Sequence, residues 1–192
     1  MTARENLPLD DVANAASVVR PTSARREIHL LELSPDAIHA LAAGDLDLAN
    51  RLTPVALSPY FVGDECIGVW RYRSEQLAGD PAAVGWITRI IVDTRSGVAV
   101  GRAGYHGPPD ALGLVEIGYS VDPPHRRRGY ARAAFVALLE RARIEPAVRT
   151  VRVSIRPDNE PSRALVLQYG FIEVGEQWDE VDGLEILFEV PA

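Results

Sequence analysis

The stretch Val115–Phe135, VEIGYSVDPPHRRRGYARAAF, organises the reading of everything around it. Its first residues alternate, with Val115, Ile117, Tyr119 and Val121 on one side and Glu116, Gly118 and Ser120 on the other, which is the repeat of a β-strand. Asp122, Pro123 and Pro124 end that strand, because proline has no amide to give a ladder. Arg126, Arg127, Arg128 and Gly129 then lead into a helical run in which Ala134, Phe135, Leu138 and Leu139 share a stripe as far as Ala142. The order is strand, basic glycine-bearing loop, helix.

A helix start leaves backbone amides without partners and carries roughly half a positive charge, so a loop that aims those amides outward makes an anion site. Gly129 lets backbone approach a ligand closely, and Ala131 keeps the first turn narrow. The arginines suit phosphate in particular.

This arrangement resembles the acyl-CoA motif of the GNAT N-acetyltransferase superfamily, Arg/Gln-x-x-Gly-x-Gly/Ala, which Arg126, Gly129 and Ala131 match. A second block, Asn159-Glu160-Pro161-Ser162 followed by Tyr169-Gly170-Phe171, resembles the Asn-x-x-Ser and Gly-Phe of the branch that includes the ribosomal-protein N-terminal acetyltransferases. Glu116, Ile117, Gly118 and Tyr119 are similar to that branch as well, and the resemblance spans Arg89 to Val190. It implies an α/β (α+β) fold with a central, mostly antiparallel sheet of seven strands flanked by helices. The implied co-substrate is acetyl-CoA.

Bulk properties agree with a single domain. The chain has 192 residues, 47% of them apolar, enough to bury one core. A net charge of -7 argues against general nucleic-acid binding and makes the arginine run a local exception. One cysteine, Cys66, excludes an internal disulfide and fits a cytoplasmic protein. No apolar run approaches membrane-spanning length, and the N-terminus lacks a basic segment followed by an apolar one. Four scattered histidines with no close-spaced ligand cluster argue against a metal site, and Gly101 and Gly104 do not open a helix, so no dinucleotide fingerprint is present.

Residues 1–26 read as a flexible arm, with a short helix around Leu9–Val18, and 27–192 as the folded domain. Within it the pattern predicts a strand over Glu27–Leu33, helices over Pro35–Ala43, Leu46–Arg51 and Asp64–Leu77, and an ordered loop over Leu52–Gly63. Trp70 and Tyr72 are expected in the core. Strands follow over Val84–Val92, Val98–Tyr105, Leu112–Val121, Thr150–Ile155, Phe171–Trp178 and Glu185–Val190, with a helix over Pro161–Tyr169. The resulting sheet has helices on both faces. The last two strands, through Trp178 and Phe188, are a candidate homodimer surface.

Acetyl transfer to an amine needs a pyrophosphate anchor, a donor for the thioester carbonyl, a base and a proton source for the departing thiolate. By resemblance, the anchor is Arg126, Arg127, Arg128, Gly129, Tyr130, Ala131 and Arg132, and the carbonyl donor is a backbone amide among Tyr119, Ser120 and Val121, where the strand parts from its neighbour. Glu116 is the first candidate base and His106 the second; each also reads as an ordinary surface residue. The tyrosine that many members use as acid falls on Val166, and a carboxylate that some carry falls on Ser154. Tyr169, just before Gly170, is expected to face the core or the flank of the helix. That leaves Ser162 near the thiol, or merely capping its helix, and Asn159 as a cap or a partner of the pantetheine arm. The expected reaction is transfer from acetyl-CoA to a primary amine, either a protein or peptide N-terminus or a small molecule. The alternative is a non-catalytic acyl-CoA sensor or interaction module.

Overall fold

The computed structural model describes residues 26–192, so the expected arm up to residue 25 and the helix around Leu9–Val18 lie outside the described residues. The strands are β1 (Ile28–Leu31), β2 (Arg89–Asp93), β3 (Ala99–Tyr105), β4 (Leu114–Val121), β5 (Thr150–Ile155), β6 (Ile172–Asp179) and β7 (Gly183–Pro191). They form one sheet in the order β1-β2-β3-β4-β5-β7-β6. Every neighbouring pair is antiparallel except β4 and β5, whose parallel pairing requires a crossover. That crossover is the helix α4 (Tyr130–Ile144).

Strand alternation sends apolar side chains to both faces. Ile91 and Val100 join one core with α4, whereas Ile90, Val92 and Ala99 join another on the opposite face. The second core is completed by α1 (Pro35–Ala42) and α3 (Asp64–Gly79), with the short α2 (Leu46–Leu52) against them. In α4 the stripe Ala134, Phe135, Leu138, Leu139 and Ala142 is at most 1% exposed, the spacing expected of a helix laid on a sheet. The helix α5 (Glu160–Leu167) follows β5 and adds Leu165 and Val166 to the α4 core.

Several expectations change. The strand predicted from Val84 begins only at Arg89, because Asp80 accepts a hydrogen bond from the Ala82 amide and Pro81 starts a 3-10 turn that runs to Gly85. The predicted loop before α3 contains a 3-10 turn at Pro59–Val62. Trp70 is fully buried and donates to the Phe61 carbonyl, but Tyr72 is 58% exposed. Phe188 is also buried, so of the two aromatics expected at a dimer surface only Trp178 faces outward. No helix among the described residues is long and apolar enough to cross a membrane.

Candidate active site

The loop between β4 and α4 is a tight turn. Pro123–His125 make a single 3-10 turn, Arg127 adopts φ 61° and Gly129 φ 87°. Gly129 is the N-cap of α4, and no side chain caps the helix, so the first-turn amides are left to solvent or a ligand. Arg127 and Arg128 lie on the exposed loop. Arg126 is engaged elsewhere: its Nε donates to the Val121 carbonyl at 2.8 Å and its guanidinium pairs with Glu65. Arg132 reaches Gln168 at 2.7 Å and the Tyr169 hydroxyl at 3.2 Å, tying α4 to the end of α5. The Tyr130 ring is buried, with its hydroxyl donating to Asp93. Tyr130 therefore offers a loop ligand its backbone rather than its ring.

The strands β4 and β5 pair only at Leu114, Val115 and Glu116, opposite Thr150, Val151 and Arg152. Beyond Glu116 they part, while β5, paired with β7 along its whole length, continues with it through Ser154 and Ile155. On the other side of β4, His106 donates its amide to the Glu116 carbonyl and Asp122 to that of Val100. An antiparallel ladder alternates, so even-numbered residues of β4 bond to β3 while Tyr119 and Val121 turn their amides toward the gap left by β5. The sequence groups Ser120 with them, but its amide faces β3 and only its side chain serves this region.

That side chain belongs to a polar face. Ser120 accepts from the Tyr60 hydroxyl at 2.7 Å. Glu116, with a side chain 17% exposed, lies 3.6 Å from His106 Nδ1 and accepts from the Ser154 hydroxyl at 2.5 Å. Gln177 reaches both Ser154, at 3.3 Å, and Glu185, at 3.0 Å. The imidazole lies over Gly118, where an added Cβ would meet Nε2 at 2.9 Å. Arg73, almost fully buried, donates to the His106 carbonyl at 2.7 Å and holds the turn in place.

The electrostatics favour a neutral imidazole. Burial lowers the His106 pKa below its ordinary value, Glu116 opposes that, and Arg73 and Arg102 add to it. Half of the side-chain surface is still open, which moderates the lowering. Desolvation lowers Arg73 to about 10. Burial raises the Tyr60 phenol, and burial also raises Glu185, with Asp179, Asp182 and Glu116 adding to the effect on the latter.

The helix α5 corrects one expectation. Its N-cap is Asn159, whose Oδ1 accepts from the Ser162 amide at 3.3 Å, because Pro161 occupies the first turn and moves the cap ahead of it. Ser162 is therefore not the cap, and its hydroxyl is available for another role. Val166 is fully buried, and the Tyr169 ring meets Phe135 edge-on, with centroids 5.4 Å apart. A cavity of ≈ 430 Å³ bounded by Asp36, His39, Asp45 and Leu52 shares no residue with this region.

The profile of the acetyltransferase (GNAT) domain matches residues 37–172. The chain is also 32% identical over 152 residues to "Uncharacterized N-acetyltransferase YjdG" of Bacillus subtilis (strain 168), covering 74% of this chain and 89% of that protein. The chain belongs to the GNAT acetyltransferase family. Solved structures share the fold of this GNAT domain at lower identity. Mycobacterium smegmatis RimJ in complex with CoA-disulfide is 21% identical with a TM-score of 0.58, covering 86% of this chain and 82% of that one. A chimera of spermidine N-acetyltransferase SpeG from Vibrio cholerae is 14% identical with a TM-score of 0.59, covering 85% and 95%.

Sequence reasoning missed Tyr60, Arg73, Gln177 and Glu185 as parts of the polar face. Only Tyr60 carried a signal, an aromatic in a proline-rich loop, and nothing local ties it to Ser120.

Proposed function

We propose that this GNAT domain, spanning 27–192, transfers an acetyl group from acetyl-CoA to a primary amine by direct attack in a ternary complex. The observation that carries the reading is the position of the Glu116–His106 pair at the point where β4 and β5 part. The residues suit the co-substrate. Uncapped α4 amides, Gly129 without a Cβ, and Arg127 and Arg128 would hold pyrophosphate, and the Tyr119 and Val121 amides face the gap where a pantetheine arm would lie. The CoA derivative bound to RimJ, a protein of the same fold, agrees with this.

Tyr119 or Val121 N–H supplies the fixed donor for charge developing on the thioester oxygen. His106, neutral near pH 7 and oriented by Glu116, takes the proton from the attacking amine, and Glu116 stabilises the imidazolium that results. The acceptor class follows from the cost of deprotonation. A lysine amine, with pKa about 10.4, costs about 4.6 kcal/mol to deprotonate at pH 7, whereas an α-amine near 7.8 costs about 1 kcal/mol. A modest base such as this pair suits the second, and together with the Asn159-x-x-Ser162 block it favours a peptide or protein N-terminus. The reduced, buried Cys66 suits a cytoplasmic setting. A homodimer would use the outward side of β6, where Ile172 and Trp178 are exposed.

A non-catalytic acyl-CoA sensor is the second reading, favoured by the fully buried Val166 where many relatives carry an acid. Free-thiol release from acetyl-CoA, measured against peptides, polyamines, amino acids and aminoglycosides with CoA binding followed in parallel, separates the two. Turnover with one amine class supports the transferase and names its acceptor. CoA binding without turnover on any amine supports the sensor, and no CoA binding refutes both.

A further inference from the structure

The Tyr119 side chain is not needed for its backbone role, yet its hydroxyl is conspicuous. The ring points to the α4 side of the sheet and meets Phe135 edge-on, with centroids 6.1 Å apart. Its Oη is buried and has no hydrogen-bond partner among the described residues. Leaving a buried hydroxyl unsatisfied costs about 1–3 kcal/mol, so a donor kept idle at this position calls for a ligand that completes it. The residue lies on the part of β4 that β5 has left, where its own amide faces the gap. Ser162, freed from capping by Asn159, leaves its own hydroxyl uncommitted at the start of α5. Val166 has no polar side-chain atom, and the Tyr169 hydroxyl is engaged by Arg132 at 3.2 Å.

We propose that the Tyr119 hydroxyl donates a hydrogen bond to the thioester sulfur of acetyl-CoA as the carbon–sulfur bond breaks. This rests on the acetyl-transfer reading above. The amine lone pair forms the new C–N bond, the C–S electron pair leaves on sulfur, and the His106–Glu116 pair takes the amine proton. The thiolate, stabilised by the Tyr119 O–H, then takes a proton from water. Burial holds the phenol above its ordinary pKa, with Ser162 opposing that in part, so the proton is present throughout the neutral range. A phenol above about 10 is a weaker acid than a thiol near 8.5, which is why the role is donation of a hydrogen bond rather than complete proton transfer.

The test is Tyr119→Phe in the full chain, which removes the donor and keeps the ring. The expected result is a kcat lower by roughly 10- to 100-fold with KM little changed. A binding readout accompanies it: calorimetric affinities for CoA and for desulfo-CoA, which lacks the sulfur. The unaltered protein should prefer CoA by roughly fivefold, and Tyr119→Phe should remove that preference while binding desulfo-CoA as before. An unchanged kcat, or equal loss of both affinities, would overturn the proposal. So would a higher melting temperature with unchanged kinetics, since the hydroxyl would then be only an unsatisfied structural group. Failure of the unaltered protein to bind CoA at all would instead overturn the acetyl-transfer reading, and this proposal with it.

Discussion

Replacing Glu116 with glutamine keeps the side-chain shape and an acceptor for the Ser154 hydroxyl while removing the charge 3.6 Å from His106 Nδ1. At that separation the carboxylate and an imidazolium attract by ~1 kcal/mol with bulk-water screening and ~5 kcal/mol at an effective dielectric of about 20. Because half of the His106 side chain is open to solvent, the lower value applies, about one pK unit. Glu116→Gln should therefore lower the His106 pKa, already below its ordinary value, by about one unit more. With His106 as the proposed base, the acid limb of the kcat/KM profile should move to lower pH by about that amount. With no carboxylate to stabilise the imidazolium, kcat/KM on the plateau should fall roughly tenfold, the rate equivalent of that one pK unit. Steady-state thiol release between pH 5 and 9 measures both, and calorimetry should find CoA affinity unchanged. An unmoved acid limb with undiminished turnover would refute the assignment of this pair as the base. Loss of CoA affinity in step with turnover would show that Glu116 shapes the cofactor site instead.

Three further outcomes are expected. Gly129→Trp places a large side chain where φ is 87° at the cap of α4, so CoA affinity should be abolished; affinity equal to that of the unaltered protein would displace the cofactor from this loop. Asn159→Ala removes the α5 cap and should destabilise the protein by about 0.5–2 kcal/mol in urea unfolding, whereas Ser162→Ala, outside the cap position, should cost less; the reverse order would contradict the capping geometry. Tyr130→Phe removes the hydrogen bond that chiefly holds the Asp93 carboxyl down at about 2, helped by the Ser96 and Arg95 amides. A depressed carboxyl pKa stabilises the fold above the unfolded value near 3.9 and ceases to as pH falls toward 2, so the variant should unfold at higher pH on acidification. It should also lose about 1.5–3 kcal/mol at pH 7, and an unchanged acid midpoint would refute the linkage.

Local pattern carried most of the fold. The strand Thr150–Ile155 has the predicted bounds because its alternate residues Val151, Val153 and Ile155 are buried, so period and burial coincide. The helix α3 was legible in extent but not in orientation. Its buried stripe is Cys66, Trp70, Arg73 and Leu77, and a charged residue in that stripe hides it from a hydrophobicity reading. Tyr72, one residue away, instead stacks its ring at 5.0 Å from the Arg73 guanidinium and stays in solvent. In the site, Glu116 and His106 were both legible as candidates, and adjacent strands bring them together through a short connection. Ser154 and Tyr60 reach the same face from 38 and 60 residues away, and only strand order and the packing of the loop before α3 bring them in.

The geometry of β4 explains why so much chemistry falls on one strand. Its side chains alternate between two faces: Val115 and Ile117 are buried beneath α4, while Glu116 and Ser120 lie on the polar face. Its backbone has a third direction, within the sheet, which an ordinary internal strand uses up in pairing on both sides. Here β5 pairs with β4 for three residues and then follows β7 alone. Had β5 stayed in register, the Tyr119 and Val121 amides would be spent on its carbonyls and no gap would exist for a ligand. The same departure carries Ser154 into reach of Glu116, so the opening and the support of the candidate base have one cause. A strand that loses one neighbour midway thus presents donors, a carboxylate and a phenol around a single gap, without an insertion or an added loop.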